Sequence, residues 1–466
     1  MPLYVGVDDT DSLQGMCTTF LAAEIVRDLD DVDLIGYPRL VRLNPNIPWK
    51  TRGNGAVCLR LGRGHGTPRS VGELGGRAIR AFPSGDPVLP DRLADRVAAQ
   101  VERWSRLDDP TTNPGLVVLH TRPPAGLYWR AVREVVPHAD AHAATAGRGV
   151  VRGWKNGRGI IGAAAACAWR PRDRTFEVLA YRRREMWGRP RSIDPASVRD
   201  MDRAYPSTFN NYDHARRHVA IGPHSHCPIL FGIRGDRPEV LEAAMRSIRG
   251  ESPEGWLVFE TNQGTDDHVG RGPWPPRPFS ASSLLGTVVR PPRTIPGGHV
   301  VFRIRAAGDI DATVYEPAKE FRNVALALAV GDRVRVVGST RRSPRTINVE
   351  KIHVVELARL TLKVANPRCT CGKSMKSSGR DAAFRCARCR RRVGRERAEF
   401  TDLARAITPG WYQPPVGSRR HLSMPLERME RTVVGRLPIV GPPPTLAEPI
   451  LARLLPAAAT LPGYKA

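Results

Sequence analysis

A multidomain α+β chain is predicted, with an α/β portion over its N-terminal half followed by a small β-barrel and a cysteine-knuckle module. Three observations carry this reading. The chain has 466 residues, several times the usual size of one domain. Five β-rich runs crowd between Leu285 and Leu357. Four of the eight cysteines fall together as C-x-C, fourteen residues, then C-x2-C.

The first element is an apolar strand. Residues 3–19 read L-Y-V-G-V-D-D-T-D-S-L-Q-G-M-C-T-T, a strand, a glycine turn and then a helix opening at Thr18. Asp8, Asp9 and Asp11 crowd the strand end. Carboxylates so close repel one another unless they are solvated or share a hard cation such as Mg²⁺. Thr18 and Thr19 then sit at a helix N-terminus, which favours phosphate. A solvated acidic turn with a threonine N-cap fits the same residues.

Two glycine-rich basic loops follow. N-P-N-I-P-W-K-T-R-G-N-G-A sets Lys50 and Arg52 against Gly53 and Gly55, and R-G-W-K-N-G-R-G-I-I-G offers Lys155 and Arg158 ahead of the small-residue run Ala163 to Ala168. Asn44–Ala56 does not match a P-loop, but cations beside glycines let backbone N–H groups approach an anion. Either loop alone also reads as a solvated hairpin. Two of them beside an acidic cluster favour a nucleotide site.

The segment M-D-R-A-Y-P-S-T-F-N-N-Y-D, residues 201–213, reads as a pocket for a small cation. Asp202, Ser207, Thr208, Asn210 and Asp213 would satisfy an amine or guanidinium while Tyr205 and Phe209 supply the walls. A helix-terminus loop is the alternative. H-S-H-C at His224 to Cys227 lacks a second ligand pair and leads into a buried strand, P-I-L-F-G-I-R-G. W-L-V-F-E (Trp256 to Glu260) reads as another strand, delivering T-N-Q-G-T-D at its C-terminal end, where α/β folds keep function.

The five β-rich runs fit a barrel of the OB type, a frequent nucleic-acid platform. Strand alternation puts Arg303 and Arg305 on one face, and Arg333 and Arg335 on one face, where phosphate is the expected partner rather than carboxylate. P-W-P-P-R-P at 273–278 reads as the linker into this barrel. Beyond it, Cys369, Cys371, Cys386 and Cys389 supply the two knuckles of a Zn–Cys₄ ribbon, a closed site that serves folding and RNA contact rather than chemistry. The first knuckle has one spacer residue and needs a tighter turn. Cys17, Cys58, Cys167 and Cys227 read as free buried thiols.

Composition sets the partner class. A net charge of +26 and a pI near 10.7 point to a polyanion, most simply nucleic acid. No apolar stretch reaches the ~20 residues of a membrane span, and Asp8 interrupts any signal-peptide core. A cytoplasmic protein with no membrane partner is expected.

In order, V-G-V-D-D-T-D-S with G-M-C-T-T, R-L-N-P-N-I-P-W-K-T-R-G-N-G, R-G-W-K-N-G-R-G-I-I-G, T-F-N-N-Y-D, T-N-Q-G-T-D and the four cysteines resemble the archaeal tRNA-Ile agmatidine synthetases (2-agmatinylcytidine synthetases). The resemblance runs from residue 3 to about 425. It implies an ATP-binding kinase-like catalytic domain at 1–195, a ferredoxin-like agmatine-binding domain at 196–278, an OB fold at 279–360 and a zinc ribbon at 361–425. A Pro/Ala-rich tail at 426–466 falls outside it. It implies ATP, Mg²⁺ and structural Zn²⁺ as cofactors, with agmatine and the isoleucine tRNA bearing a CAU anticodon as partners. The C2 oxygen of the wobble cytidine would be phosphorylated and then replaced by agmatine, a ligase reaction that permits AUA decoding. Asp8, Asp9 and Asp11 match the Mg²⁺ and ATP motif, and Thr18 matches a phosphorylated threonine. Lys50, Arg52, Gly53, Gly55, Lys155 and Arg158 are assigned to ATP, and Asp202, Tyr205, Ser207, Thr208, Phe209, Asn210 and Asp213 to agmatine. A non-catalytic OB-fold and ribbon RNA-binding protein is the competing reading.

Overall fold

The computed structural model describes residues 1–377 and 383–432. It is a multidomain α+β chain whose N-terminal part is built on one 13-stranded sheet. Towards one end of that sheet β1 (Leu3–Asp8) lies antiparallel between the strands Gly55–His65 and Gly115–Leu119. The elements that shape the site follow in chain order: α1 (Thr18–Asp28), β2 (Arg39–Arg42), β3 (Gly55–His65), β4 (Gly115–Leu119), β5 (Gly149–Gly153) and α2 (Gly159–Ala168).

Both faces of β1 are covered. Leu3, Val5 and Val7 pack with Phe20, Leu21 and Ile25 of α1, while Tyr4 belongs to the second core with α2. The alanine run in α2 lets that helix approach the sheet closely. A Cβ on Gly6 would stand 2.2 Å from the Ala163 carbonyl oxygen, and one on Gly162 would stand 1.8 Å from Asp8 Oδ2. Glycine at these two positions is therefore a packing requirement.

The other half of the sheet is carried by β6 (Thr175–Tyr181), flanked antiparallel by β7 (Ile229–Gly235) and β8 (Gly255–Thr261). β8 joins the halves by pairing in parallel with β2, Glu260 opposite Arg39. The Arg39 guanidinium donates to Glu260 at 2.9 Å in the buried seam. β7 and β8 occur where the sequence places strands.

All five expected barrel strands form: β9 (Ala281–Ile295), β10 (His299–Arg305), β11 (Asp309–Val314), β12 (Arg333–Thr340) and β13 (Thr346–Glu356). They close into a circuit because β9 pairs with both β10 and β12. Phe302, Ile304, Val334, Val336, Ile352 and Phe321 fill its interior. The arginine expectation is corrected here. Arg303 and Arg305 face Asp311 and Asp309 directly across the ladder, and each donates to its aspartate at 2.7 Å. Cross-strand neighbours of opposite charge pair before a distant phosphate can compete. Arg335 reaches Ser283 at 3.4 Å instead.

After the ribbon the chain turns back. β14 (Gly410–Tyr412) pairs with β13, and α3 (Leu426–Thr432) docks on the first sheet's periphery. There the buried Arg428 guanidinium donates to Asp173 and Asp236 at 2.6 Å and to the Gly264 carbonyl at 2.8 Å. Sequence reasoning gives residues 410–425 to the ribbon and 426–432 to the tail, whereas both pack against other parts of the chain. The rest of the expected tail, 433–466, lies outside the described residues. No helix among the described residues is long and apolar enough to cross a membrane.

Candidate active site

A cavity of about 550 Å³ opens where the end of β1, the start of α1, the 47–55 loop, β6, β7, residues 220–225 and residues 416–421 meet. Its acidic wall is the turn after β1. Asp8 is pressed against Gly162, and burial, followed by the neighbouring Asp9 charge, holds its carboxyl well above the usual range. Asp9 takes a left-handed backbone, φ 57°. Its carboxylate accepts from Arg158 at 2.7 and 3.1 Å and from the Thr51 hydroxyl at 3.3 Å. Burial still outweighs Arg158 and lifts its pKa to about 6. Asp11 accepts from Arg52 Nε at 2.8 Å, and Arg52 also donates to Ser225 Oγ at 3.0 Å and to the Met16 carbonyl.

Thr18 is the first residue of α1, and Cys17, without a side-chain capping bond, occupies the N-cap. The threonine-cap alternative is thereby removed. Thr18 is buried, and its hydroxyl oxygen accepts from Thr10 at 3.1 Å.

The cavity gathers most of the expected phosphate set. Lys50, Arg52, Gly53, Gly55 and Arg158 line it together with Asp8, Asp9, Asp11 and Thr18. Lys50 donates to the Ile47 carbonyl at 3.0 Å, and burial, then Arg420, lowers its pKa. Lys155 lies outside, its ammonium turned to the Asp109 carbonyl. The 201–213 segment bonds mostly within itself and to residues 214–216, with Asn211 Oδ1 and Asp213 Oδ2 buried without a partner among the described residues. Asp202 accepts from Asn211 at 3.1 Å and binds His214 at 2.8 Å, Thr208 donates to the Tyr205 carbonyl at 2.7 Å, and Asp213 accepts from the Arg216 amide at 3.1 Å. Ser207 and Phe209 belong to the same folded segment, Phe209 packing over Gly264. Of the seven residues only Asn210 lines the cavity, where its Oδ1 accepts from Arg419 at 2.7 Å.

Sequence reasoning missed the cavity floor. Glu177 in β6 is buried, bound by Arg234 at 3.0 Å, near Arg42 at 4.0 Å, and accepting from Gln263. A lone glutamate inside the apolar run T-F-E-V-L-A-Y was the available signal. His421 lines the same cavity, where the Arg42 charge is the leading cause that lowers its pKa well below normal. The 416–421 wall carried no sequence signal, because it is some 370 residues from the 47–55 loop that it faces.

Among the described residues, one group of side chains gathers around a single point as metal ligands do: Cys369, Cys371, Cys386 and Cys389. Their sulfurs stand 3.2 to 3.6 Å apart in the bonded pairs. A tetrahedral ion with ~2.3 Å Zn–S bonds needs sulfurs about 3.8 Å apart. The short first knuckle therefore does not prevent a four-cysteine zinc site.

A two-part body enclosing one charged cavity, carried on the same chain as a closed barrel and a cysteine ribbon, defines a multidomain enzyme of the kind that works on a structured polyanion. Three family models match in order: the TiaS TCKD domain over residues 4–153, the TiaS FLD domain over 157–268 and the TiaS C-terminal zinc ribbon domain over 366–407. The first two meet near 155, ahead of the boundary expected at 195. The isoleucine-tRNA 2-agmatinylcytidine synthetase TiaS of Methanocaldococcus jannaschii is 34% identical over 442 residues, 92% of this chain and 99% of that protein. Its counterpart in Archaeoglobus fulgidus is 39% identical over 446 residues, 92% of this chain and 98% of that protein. The crystal structure of TiaS in complex with its isoleucine tRNA and ATP superposes with a TM-score of 0.78 at 37% identity, covering 94% of this chain and 99% of that one. A complex of TiaS with the same tRNA, AMPCPP and agmatine gives 0.76 at 35% identity, with 94% and 99% covered. The chain belongs to the TiaS family of isoleucine-tRNA 2-agmatinylcytidine synthetases.

Proposed function

We propose that this protein is an ATP-dependent carbon–nitrogen ligase that converts the wobble cytidine of CAU-anticodon isoleucine tRNA to agmatidine, working in the cytoplasm. The C2 oxygen is first phosphorylated with ATP as donor, and the primary amine of agmatine then displaces that phosphate. The observation that supports this best is one cavity holding an acidic turn, a buried helix-start hydroxyl and a set of cations that includes Lys50, Arg52 and Arg158, in a chain that also carries a barrel and a ribbon for RNA.

In this reading Lys50, Arg52 and Arg158 neutralise the polyphosphate, with Gly53 and Gly55 allowing close backbone approach. Thr18 is the protein's own phosphate acceptor. The aspartates are oxygen donors of the kind Mg²⁺ takes, yet the three do not gather around one point. Mg²⁺ commonly uses one or two carboxylates and completes its shell with substrate phosphate and water. Asp8, whose buried carboxyl would ionise beside a cation, with Asp9 or Asp11 is the fitting pair. The bound ion would offset phosphate charge. Asn210 contacts agmatine, and Asp202, Tyr205, Ser207, Thr208, Phe209 and Asp213 shape the wall behind it, while Lys155 braces the loop that carries Arg158. The N-terminal part is read as kinase-like, the β6–β7–β8 part as ferredoxin-like and the closed barrel as an OB fold.

Incubation with tRNA, ATP and agmatine, followed by nucleoside analysis, tests the proposal. Agmatidine should appear only when all three are present. No turnover at all would leave the non-catalytic RNA-binding reading in its place, and ATP turnover indifferent to tRNA would point to a small-molecule kinase instead.

A further inference from the structure

β13 carries an irregularity that turns two consecutive side chains toward the catalytic body. Lys351 lies opposite Val337 and Val349 opposite Gly338, so Glu350 is an extra residue in the ladder. Bulges re-aim side chains in this way. Both residues are buried, Glu350 at 7% and Lys351 at 1% exposure. Lys351 donates to Asp266 and to the Met424 carbonyl, while Asp266 accepts from the Met424 amide at 2.7 Å. Glu350 binds His268 at 2.8 Å and Arg420 Nε at 3.0 Å.

Arg420 is where these contacts reach the cavity. Its other nitrogens donate to the Pro45 carbonyl and to Ser339 Oγ, each at 3.2 Å, so one guanidinium ties the catalytic loop to barrel strand β12. Two of its five N–H donors are thus committed to hydrogen bonds and its Nε side is held in the ion pair with Glu350, and it still lines the cavity with its side chain 30% exposed. Lys50 approaches from the same 45–50 loop and lines the same cavity. Two cations brought to one wall from distant parts of the chain, one of them fixed from behind by a buried carboxylate, ask for an anion in front.

We propose that Arg420 is a phosphate-binding residue of the cavity, supplied by the chain beyond the ribbon, and that Glu350 of the barrel is its positioning residue. The inference rests on the functional reading above for the identity of the polyanions. The phosphate belongs either to ATP or to the tRNA backbone beside the target nucleotide.

Equilibrium Kd values for ATP and, separately, for tRNA without ATP distinguish the two sources, and neither depends on turnover. Arg420→Ala should raise one of the two by about tenfold, the scale of a charge-assisted hydrogen bond. Arg420→Lys should recover part of that loss. Glu350→Gln, which keeps the shape and an acceptor, should weaken the same Kd by about threefold or more at an unchanged melting temperature, and would still report if the alanine variant failed to fold. Both Kd values within twofold of wild type in Arg420→Ala, or in Glu350→Gln if the alanine variant fails to fold, overturn the phosphate assignment. A large loss in Arg420→Ala with none in Glu350→Gln overturns the positioning role. A wild-type protein that binds both ligands but makes no agmatidine would instead refute the proposed function and leave this test standing.

Discussion

The Thr10 hydroxyl donates to the Thr18 hydroxyl across 3.1 Å, both side chains buried where β1 passes into α1. That contact orients Thr18 Oγ1 while the helix cap is left to Cys17. We expect Thr18→Ser to keep most of the agmatidine yield and Thr18→Val to lose it, with a stability cost of about 1 kcal/mol from the orphaned Thr10 donor. Label transfer from γ-labelled ATP onto the protein, melting temperature and nucleoside yield, measured together, decide the matter. Full activity in the valine variant would refute the acceptor role.

Two buried carboxyls, Asp9 in the acidic turn and Asp267 beside Tyr128, should make the ligand-free protein less stable as pH rises. Asp9 and Asp267 are both raised to about 6 by burial, so each holds its proton more tightly folded than unfolded. Their stabilising contribution is complete below the unfolded value near 4 and is lost as pH rises through 6. At most about 2 to 3 kcal/mol per group is at stake. Melting temperatures between pH 4 and 7 should fall, less steeply in Asp9→Asn. A slope identical in that variant would mean that Asp9 is ionised throughout.

Activity and RNA affinity should separate at the same turn. Asp9→Asn and Asp11→Asn remove carboxylates from the cavity but touch no barrel or ribbon surface. Agmatidine formation should drop by at least about a hundredfold, with the tRNA Kd within about twofold. Retained product in both variants would remove the metal and ATP roles assigned to them.

Arg428 fastens the returning chain. Arg428→Ala leaves Asp173 without this guanidinium and Asp236 with Arg431 alone. Both aspartates are partly exposed, so the loss reaches only part of the about 3 to 5 kcal/mol of a broken buried pair. The exposed Arg305–Asp309 pair is the control, since solvent-exposed pairs are worth about 0 to 1 kcal/mol. Chemical denaturation of the two variants should show the larger loss in Arg428→Ala.

Removal of the ribbon alone should flatten the salt dependence of tRNA binding while ATP binding persists. Replacing residues 366–407 with a short glycine linker spares the 416–421 wall, whereas truncation at 361 removes it. ATP affinity should therefore survive the first change and fail in the second. An unchanged salt slope after ribbon removal would mean that its arginines do not contact phosphate.

Much of this architecture is legible in local patterns. The β1 strand, the helix opening at Thr18, the five barrel strands and the paired cysteines each declare themselves within about 70 residues, because periodicity and ligand spacing are short-range signals. The cavity is less so. Asp8, Asp9, Asp11, Arg52 and Arg158 could be singled out by residue type, but Arg42, Glu177, Arg234 and His421 are brought together only by sheet register and the return of the chain. Arg303 and Arg305 misled because a strand pattern gives the face of a side chain and not the aspartate opposite it. In the 201–213 segment residue type alone did not show that, of the seven residues, only Asn210 would line the cavity.

The path of the chain also imposes an order in time. Synthesis runs from the N-terminus, so the turn bearing Asp8 and Thr18 emerges some 400 residues before the wall formed by 416–421. The barrel and ribbon are made in between. A nascent or prematurely terminated chain accordingly has its acidic turn and its helix-start hydroxyl but no complete chamber. The barrel and the ribbon are thus finished before the cavity is, so on the proposed reading an incomplete copy has no finished place in which to use ATP.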